Sequence, residues 1–208
     1  MKLQDVILSY GKKVVAEGIN AELLPGELVC LVGRNGAGKS TLIRHILREY
    51  PDPKVISVVL TDRIDVENMT VRDIVAMGRM PYTGFFGRLT DDDEEIVSEA
   101  IETLSLQEFS DRMINTLSDG ERQKVMIAKA LAQHTPYILL DEPTAFLDHP
   151  SKVSTMQLLS SLAHDHGKAI LISTHDIEVS LPYCNKVWWM KDNSLLQIPA
   201  EKFSAELL

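Results

Sequence analysis

Leu28-Val29-Cys30-Leu31-Val32-Gly33-Arg34-Asn35-Gly36-Ala37-Gly38-Lys39-Ser40-Thr41 is the stretch on which the reading of this chain turns. Its first five residues are a continuous apolar run, the pattern of a strand covered on both faces, as parallel strands are. The next nine match G-x-x-x-x-G-K-[ST] in full. The glycines let the backbone wrap a phosphate chain so that consecutive N–H groups point inward at the anion. The helix that starts at the loop's end adds its positive N-terminal dipole. Lys39 is placed to bridge β- and γ-phosphates and the Ser40 hydroxyl to ligate Mg²⁺. Gly33, Asn35, Gly36, Gly38, Lys39, Ser40 and Thr41 are therefore candidate residues for binding ATP. A chance glycine-rich turn is the bland alternative, and the order strand, loop, helix argues against it.

Outward from this loop, short β-type runs alternate with longer helical patterns. Apolar runs recur at 55–60, 137–140 and 169–172, and 186–190 reads as an edge strand. Helical segments are expected over 40–49, 91–104, 119–132 and 152–163. The second of these is preceded by a Thr90-x-x-Asp93 capping signal, and Val153, Met156, Leu159 and Leu162 line one face of the last. Strands alternating with helices imply an α/β fold with a mainly parallel sheet covered on both faces. Ligands in such folds sit at the carboxyl ends of strands. The stretch from about residue 70 to 132 interrupts the alternation and reads as a helical lobe inserted into a sheet-bearing core of about 1–69 and 133–208. Neither repeats nor linker-like composition divide the chain, so a single domain is expected.

Two further strands end in groups that suit the same site. Tyr137-Ile138-Leu139-Leu140-Asp141-Glu142-Pro143 closes an apolar run with adjacent carboxylates, which strand alternation sends to opposite sides. Asp141 would hold Mg²⁺, through water, leaving Glu142 as general base for the attacking water. A solvated acidic turn before Pro143 is the bland reading, and the loop upstream in the same sheet weakens it. Ile170-Leu171-Ile172-Ser173-Thr174-His175-Asp176 likewise delivers a histidine at the end of a core run. Most lone histidines are structural. His175 stands where a γ-phosphate contact is needed, and its imidazole would hydrogen-bond that phosphate and orient the water.

Composition limits the partners. The net charge is −9, and Lys12-Lys13 is the only short basic pair that stands out, which argues against a nucleic acid. The N-terminus lacks the apolar core of a secretory signal, and no run approaches the roughly 18–20 apolar residues of a membrane span. Cys30 and Cys184 lie far apart without metal-ligand spacing. Cys30, inside an apolar run, reads as a buried small hydrophobe, and the compartment as reducing cytoplasm.

Leu117-Ser118-Asp119-Gly120-Glu121-Arg122-Gln123, about twenty residues before the second carboxylate run, makes the pattern specific. Together with the phosphate loop, Asp141-Glu142 and His175, it resembles the signature of the ABC ATPase family, usually written LSGGQ. Ser118 and Gly120 match, whereas Asp119 and Glu121 depart from it. A hydroxyl, a backbone-exposing glycine and a helix N-terminus still make an anion site. The resemblance covers nearly the whole chain and implies a P-loop NTPase core with an inserted helical lobe. It places Tyr10 where the family stacks an aromatic on adenine, and Asp148 in the segment that meets a second subunit. It implies a head-to-tail homodimer, each ATP held between one subunit's phosphate loop and the other's signature.

The stretch Met69-Thr70-Val71-Arg72-Asp73-Ile74-Val75-Ala76-Met77-Gly78-Arg79-Met80-Pro81-Tyr82 is similar to importers of ferric siderophores, haem and cobalamin. It also reads as a helix capped by Thr70 with Asp73, and both readings hold together. The likeness implies a transmembrane permease, an extracytoplasmic substrate-binding protein, and a place on the inner face of the membrane. Family members carry a Mg²⁺-reaching glutamine after the run 55–60, and Thr61 stands there in this chain. Threonine would act through water, or Asp62 would substitute. Relatives also place extra strands and a short helix where this chain has only Pro51-Asp52-Pro53-Lys54. Either the variant is trimmed there, or residues of the native protein are absent from the chain. The competing reading is a soluble ABC-type ATPase not coupled to transport, although the long coiled-coil insertions or second cassette of such proteins are missing.

Overall fold

The computed structural model describes residues 1–11, 13–60, 68–84 and 87–204. Six strands form the main sheet, in the order β4 (Ile56–Val59), β5 (Tyr137–Asp141), β6 (Ala169–Ser173), β3 (Leu28–Gly33), β7 (Lys186–Lys191) and β8 (Ser194–Pro199). All neighbours pair in parallel except β7 with β8, which form an antiparallel hairpin. A separate two-stranded antiparallel sheet, β1 (Lys2–Tyr10) with β2 (Lys13–Glu22), lies over one face.

The apolar run of β3 follows from its position at the centre of the sheet. Leu28, Cys30 and Val32 join one core cluster with Met156, Leu159 and Leu162 of α5 (His149–His164). Val29 and Leu31 face the other, with Leu42, Ile43 and Ile46 of α1 (Lys39–Glu49) and the β1–β2 hairpin. None of the five is more than 2% exposed. Burial of each large apolar side chain contributes roughly 2 kcal/mol, so a polar residue anywhere in the run would be costly.

Between β4 and β5 the described chain is helical: α2 (Val71–Ala76), a 3₁₀ turn at Met77–Arg79, α3 (Asp91–Thr103) and α4 (Asp119–Ala132). Each α-helix opens with a reciprocal capping box: Thr70 with Asp73, Thr90 with Asp93, and Ser118 with Glu121. Two orphan amides are thereby satisfied at every start, which fixes the helix boundaries. Arg79 and Asp93, both almost fully buried, tie these helices together. The guanidinium donates to Asp93 Oδ1 at 2.8 Å and to the Ala132 carbonyl at 3.0 Å, and it stacks on Tyr82 at 3.9 Å.

Four features differ from what the sequence suggests. β7 is interior, because β8 pairs along its outer side and leaves Val187, Trp188, Trp189 and Met190 buried. α5 starts at His149, three residues before the expected 152, since Asp148 caps it and Pro150 fits its first turn. Strands β1, β2 and β8 appear where no strand was assigned. Cys30 is buried as expected, but its sulfur is bonded to Cys184, with Cα atoms 6.2 Å apart. The pair meets because Cys184 lies just before β7, and β7 runs beside β3. α6 (Ile177–Ser180) is a single turn that follows β6. The Pro51–Lys54 connection is a tight turn, with Lys54 N–H donating to Asp52 Oδ1 at 2.8 Å and Gln133 Nε2 donating to the Pro53 carbonyl at 2.5 Å. Among the described residues no helix is long and apolar enough to cross a membrane.

Candidate active site

Three neighbouring strands end together, and each delivers part of one site. At the end of β3 the loop passes so close to β7 that only glycine fits. A Cβ on Gly33 would meet the Met190 carbonyl at 2.7 Å. Gly38 sits at φ 104, and a Cβ there would lie 2.5 Å from Val15. Lys39 opens α1 but folds back, its Nζ donating to the Gly33 carbonyl at 2.9 Å. Its ammonium is depressed below the usual lysine range by burial, against the opposing pull of Glu142 and Asp141. That poise suits a cation whose partner is still to arrive.

The two carboxylates have different partners, and a turn in the backbone rather than strand alternation separates them. Asp141 is the last residue of β5. One of its oxygens accepts from Ser173 Oγ at 2.5 Å and the other from Ser40 Oγ at 3.3 Å. Glu142 follows in the left-handed region, φ 52, a conformation that costs about 1 kcal/mol or more. Its amide donates to Ser173 Oγ at 3.0 Å, which holds the turn, and its carboxylate Oε1 lies 2.7 Å from His175 Nε2. The expected base and the expected γ-phosphate contact thus touch one another. Ser40 and Asp141 offer converging oxygen donors, which suit Mg²⁺. No cluster of three or more His, Cys, Asp or Glu able to hold a metal occurs among the described residues, so phosphate and water oxygens would complete such a shell.

Two cavities flank the loop. One, of about 380 Å³, is lined by Lys13, Val15, Arg34, Asn35, Gly36 and Ala37 together with the β7–β8 turn. The other, of about 460 Å³, lies between Gly33, Arg34 and the Thr174–Val179 segment that carries His175. Tyr10 ends β1 opposite Lys13, 70% exposed and outside the lining of the first cavity. Thr41 follows Ser40 in the first turn of α1.

The signature turn is elsewhere. Ser118 caps α4, donating from Oγ to Glu121 Oε2 at 2.6 Å and accepting from the Glu121 amide at 3.3 Å. These bonds hold the Glu121 carboxyl below its ordinary range, the Ser118 hydroxyl contributing most. Asp119 turns to Arg122 at 2.9 Å, so its charge is compensated. A Cβ on Gly120 would stand 3.2 Å from Ser151 Oγ. Asp148 caps α5 by accepting from the Ser151 amide at 3.0 Å. The 320 Å³ cavity along Ser118, Gly120, Glu121 and Ser151 shares no lining residue with the two beside the loop. Thr61 and Asp62 lie outside the described residues.

Ser173, Thr144, Asp176 and Lys152 were not singled out in the sequence. The signal available for Ser173 was its place at the end of β6, next to the strand that carries Asp141.

Residues 16–145 match the family described as ABC transporter. The iron(3+)-hydroxamate import ATP-binding protein FhuC of Bacillus subtilis is 33% identical, over 91% of this chain and 78% of its own length. An inward-facing ABC transporter of the metal-chelate type superposes with a TM-score of 0.88 at 26% identity, over 96% of this chain and 83% of its own. A dimeric ATP-binding cassette in a post-hydrolysis state, bound to ADP and Pi, superposes with a TM-score of 0.78 at 26% identity, over 97% and 99%.

Proposed function

The chain belongs to the ABC transporter family and is an ATPase, and from that premise we propose that it powers import of a metal chelate through a membrane permease. The convergence of Lys39, Ser40, Asp141, Glu142 and His175 at the ends of β3, β5 and β6 carries the hydrolytic half of this reading. A ferric siderophore or cobalamin is the cargo to which its relatives point, FhuC by its iron(3+)-hydroxamate and the BtuD protein of Halobacterium salinarum by its cobalamin.

ATP enters as substrate along the loop, its phosphates against the amides of 33–41 and its adenine towards Tyr10. Lys39 leaves the Gly33 carbonyl for the β- and γ-phosphates, whose charge opposes the burial that depresses its ammonium. Ser40 and Asp141 would hold Mg²⁺, which when bound would supply positive charge against that developing on the leaving group. Glu142 accepts a proton from the attacking water, and His175 donates to the γ-phosphate and holds the Glu142 carboxylate in line. Ser118 and Gly120 serve the ATP of a second copy, because their cavity is separate from the loop of their own chain. Asp148 stands at the start of α5, between the two copies. Closure of such a homodimer around ATP, and its opening after hydrolysis, would move the permease through differential affinity for the two states. The chain would work on the inner face of the membrane with an extracytoplasmic binding protein supplying the cargo.

Glu142→Gln tests this reading, since it removes the base and keeps the shape. The ATP-loaded variant is expected to persist as a closed homodimer and to bring down a polytopic membrane protein in equal amount from detergent-solubilised host membranes. Recovery of soluble partners alone, or of none, would overturn import. A variant that stayed monomeric in saturating Mg-ATP would overturn the paired site.

A further inference from the structure

The contact between Glu142 and His175 is flanked by a second network that the reaction scheme leaves unused. Asp176 immediately follows His175. Its Oδ1 accepts from Lys152 Nζ at 2.9 Å, its Oδ2 from Thr144 Oγ1 at 3.0 Å, and its own amide donates to Thr174 Oγ1 at 3.0 Å. Thr144 lies two residues beyond Glu142. Both chain segments that carry the reacting pair are therefore tied to one carboxylate, and that carboxylate is tied to α5 by Lys152.

The rest of the His175 turn is held by the Thr174 amide on the Leu31 carbonyl at 3.2 Å, the Thr174–Ser180 hydroxyl contact at 3.3 Å and packing of Ile177 and Val179 on the core, none of which touches the His175 or Asp176 side chain. The helix that follows, α6, is a single turn with no side-chain cap at its start. His175 itself is half-exposed and meets Glu142 through one nitrogen. Lys152 and Asp176 are 23% and 33% exposed at their side chains, so their attraction is screened less than that of a surface pair. Without the ammonium, Asp176 would keep only the Thr144 hydroxyl as a side-chain donor. Its carboxylate would then fix the position of the neighbouring His175 side chain less tightly.

The position of Lys152 is informative as well. It stands in the first turn of α5, beside Ser151, whose hydroxyl would be 3.2 Å from a Cβ on Gly120. That turn touches the signature on one side and the His175 segment on the other. We propose that Lys152 is a positioning residue for ATP hydrolysis, acting through Asp176 to keep His175 in register with Glu142 and to link that register to the signature turn. The inference rests on the roles given above to Glu142 and His175.

The plain alternative is a staple that only fastens α5 to the core, and kinetics separate the two. In the full chain, Lys152→Met is expected to lower kcat by about tenfold, the scale of a small misplacement at a reacting centre. KM and the dissociation constant for ATP should stay within about twofold, and the melting temperature within a few degrees. Lys152→Arg, which keeps a cation at the same place, should recover most of the rate. Lys152→Met combined with Asp176→Asn should be no slower than the slower single variant, as members of one network are. A Lys152→Met protein with wild-type kcat, or one that loses affinity in step with rate, would overturn the proposal. So would Lys152→Arg turning over no faster than Lys152→Met. His175→Ala is measured in parallel. If it hydrolyses ATP at the wild-type rate, the reading of the site itself falls. If it is impaired while Lys152→Met is not, only the role of Lys152 falls.

Discussion

Glu121 lies beside Ser118 and Gly120, the pair proposed above to meet the ATP of a second copy. Its carboxylate holds both the hydroxyl and the amide of Ser118 at a helix N-terminus. Hydrogen bonding keeps the group ionised across the working pH range. An incoming phosphate must therefore share Ser118 with a negative charge a few ångströms away. Glu121→Gln keeps an acceptor for both donors and removes that charge. In the Glu142→Gln background it should tighten ATP-dependent dimerisation about fivefold, the equivalent of about 1 kcal/mol for one screened charge pair. Sedimentation equilibrium over a concentration series reads this directly, and weaker association would show that the carboxylate is needed as a cap. Asp119 carries no such burden, because Arg122 neutralises it. The residues legible in the sequence were those with an obligatory chemistry at the end of an apolar run: Lys39, Ser40, Asp141, Glu142 and His175. Ser173, Thr144 and Asp176 were not, since their partners lie on neighbouring strands and loops about thirty residues away.

At the scale of elements, the continuous runs of β3, β5 and β6 were readable because burial on both faces leaves no polar position to confuse the pattern. The hairpin β1–β2 was not. Its register shifts three times, and Asp5 sits at φ 49, so its buried positions do not alternate. β7 reads as an edge in the sequence because its covering strand, β8, presents a half-polar sequence in which only Leu195 is buried. The helical lobe was legible from its capping signals, but its internal lock was not. Asp93 is held below the usual carboxylate range first by the Thr90 amide and hydroxyl and then by Arg79. A depressed carboxylate contributes stability that is present above its unfolded pKa and is lost as pH falls through the folded value. The lobe should therefore loosen in acid, below about pH 4. Arg79→Met leaves the carboxylate buried with only its cap donors and strands the Ala132 carbonyl. It should cost about 3–5 kcal/mol, as removal of one partner of a buried pair does. For a chain of this size that is about 10 °C in melting temperature by calorimetry. It should also flatten the acid limb of stability, because Arg79 no longer favours the ionised form. An unchanged melting temperature would mean that Tyr82 and the cap suffice.

For the whole molecule, the Cys30–Cys184 bond is the feature that reading along the chain was least able to supply. The two cysteines are the only ones present and stand 154 residues apart. A pairing over that separation is decided by which strands become neighbours, and composition carries no trace of it. Burial of Cys30 was correctly anticipated, yet burial is shared by free and bonded sulfur and does not distinguish them. The bond joins the strand that leads into the phosphate loop to the start of the strand beside it, closing a loop that includes α1, all the lobe helices, β5 and β6. By restricting the unfolded chain, a bond closing so long a loop contributes about 2–4 kcal/mol. In the nucleotide-free protein, dithiothreitol should therefore lower the melting temperature by roughly 5–15 °C. Cys184→Ser should melt near the reduced wild type and ignore the reductant, which separates loss of the bond from other effects of the reagent. Unfolded, unreduced protein should give no reaction with a thiol reagent. Two reactive thiols there, with no shift in melting, would show that both cysteines are free. The reduced chain should still hydrolyse ATP. Backbone pairing of β3 with β6 on one side and β7 on the other holds the loop's strand without the sulfur bridge.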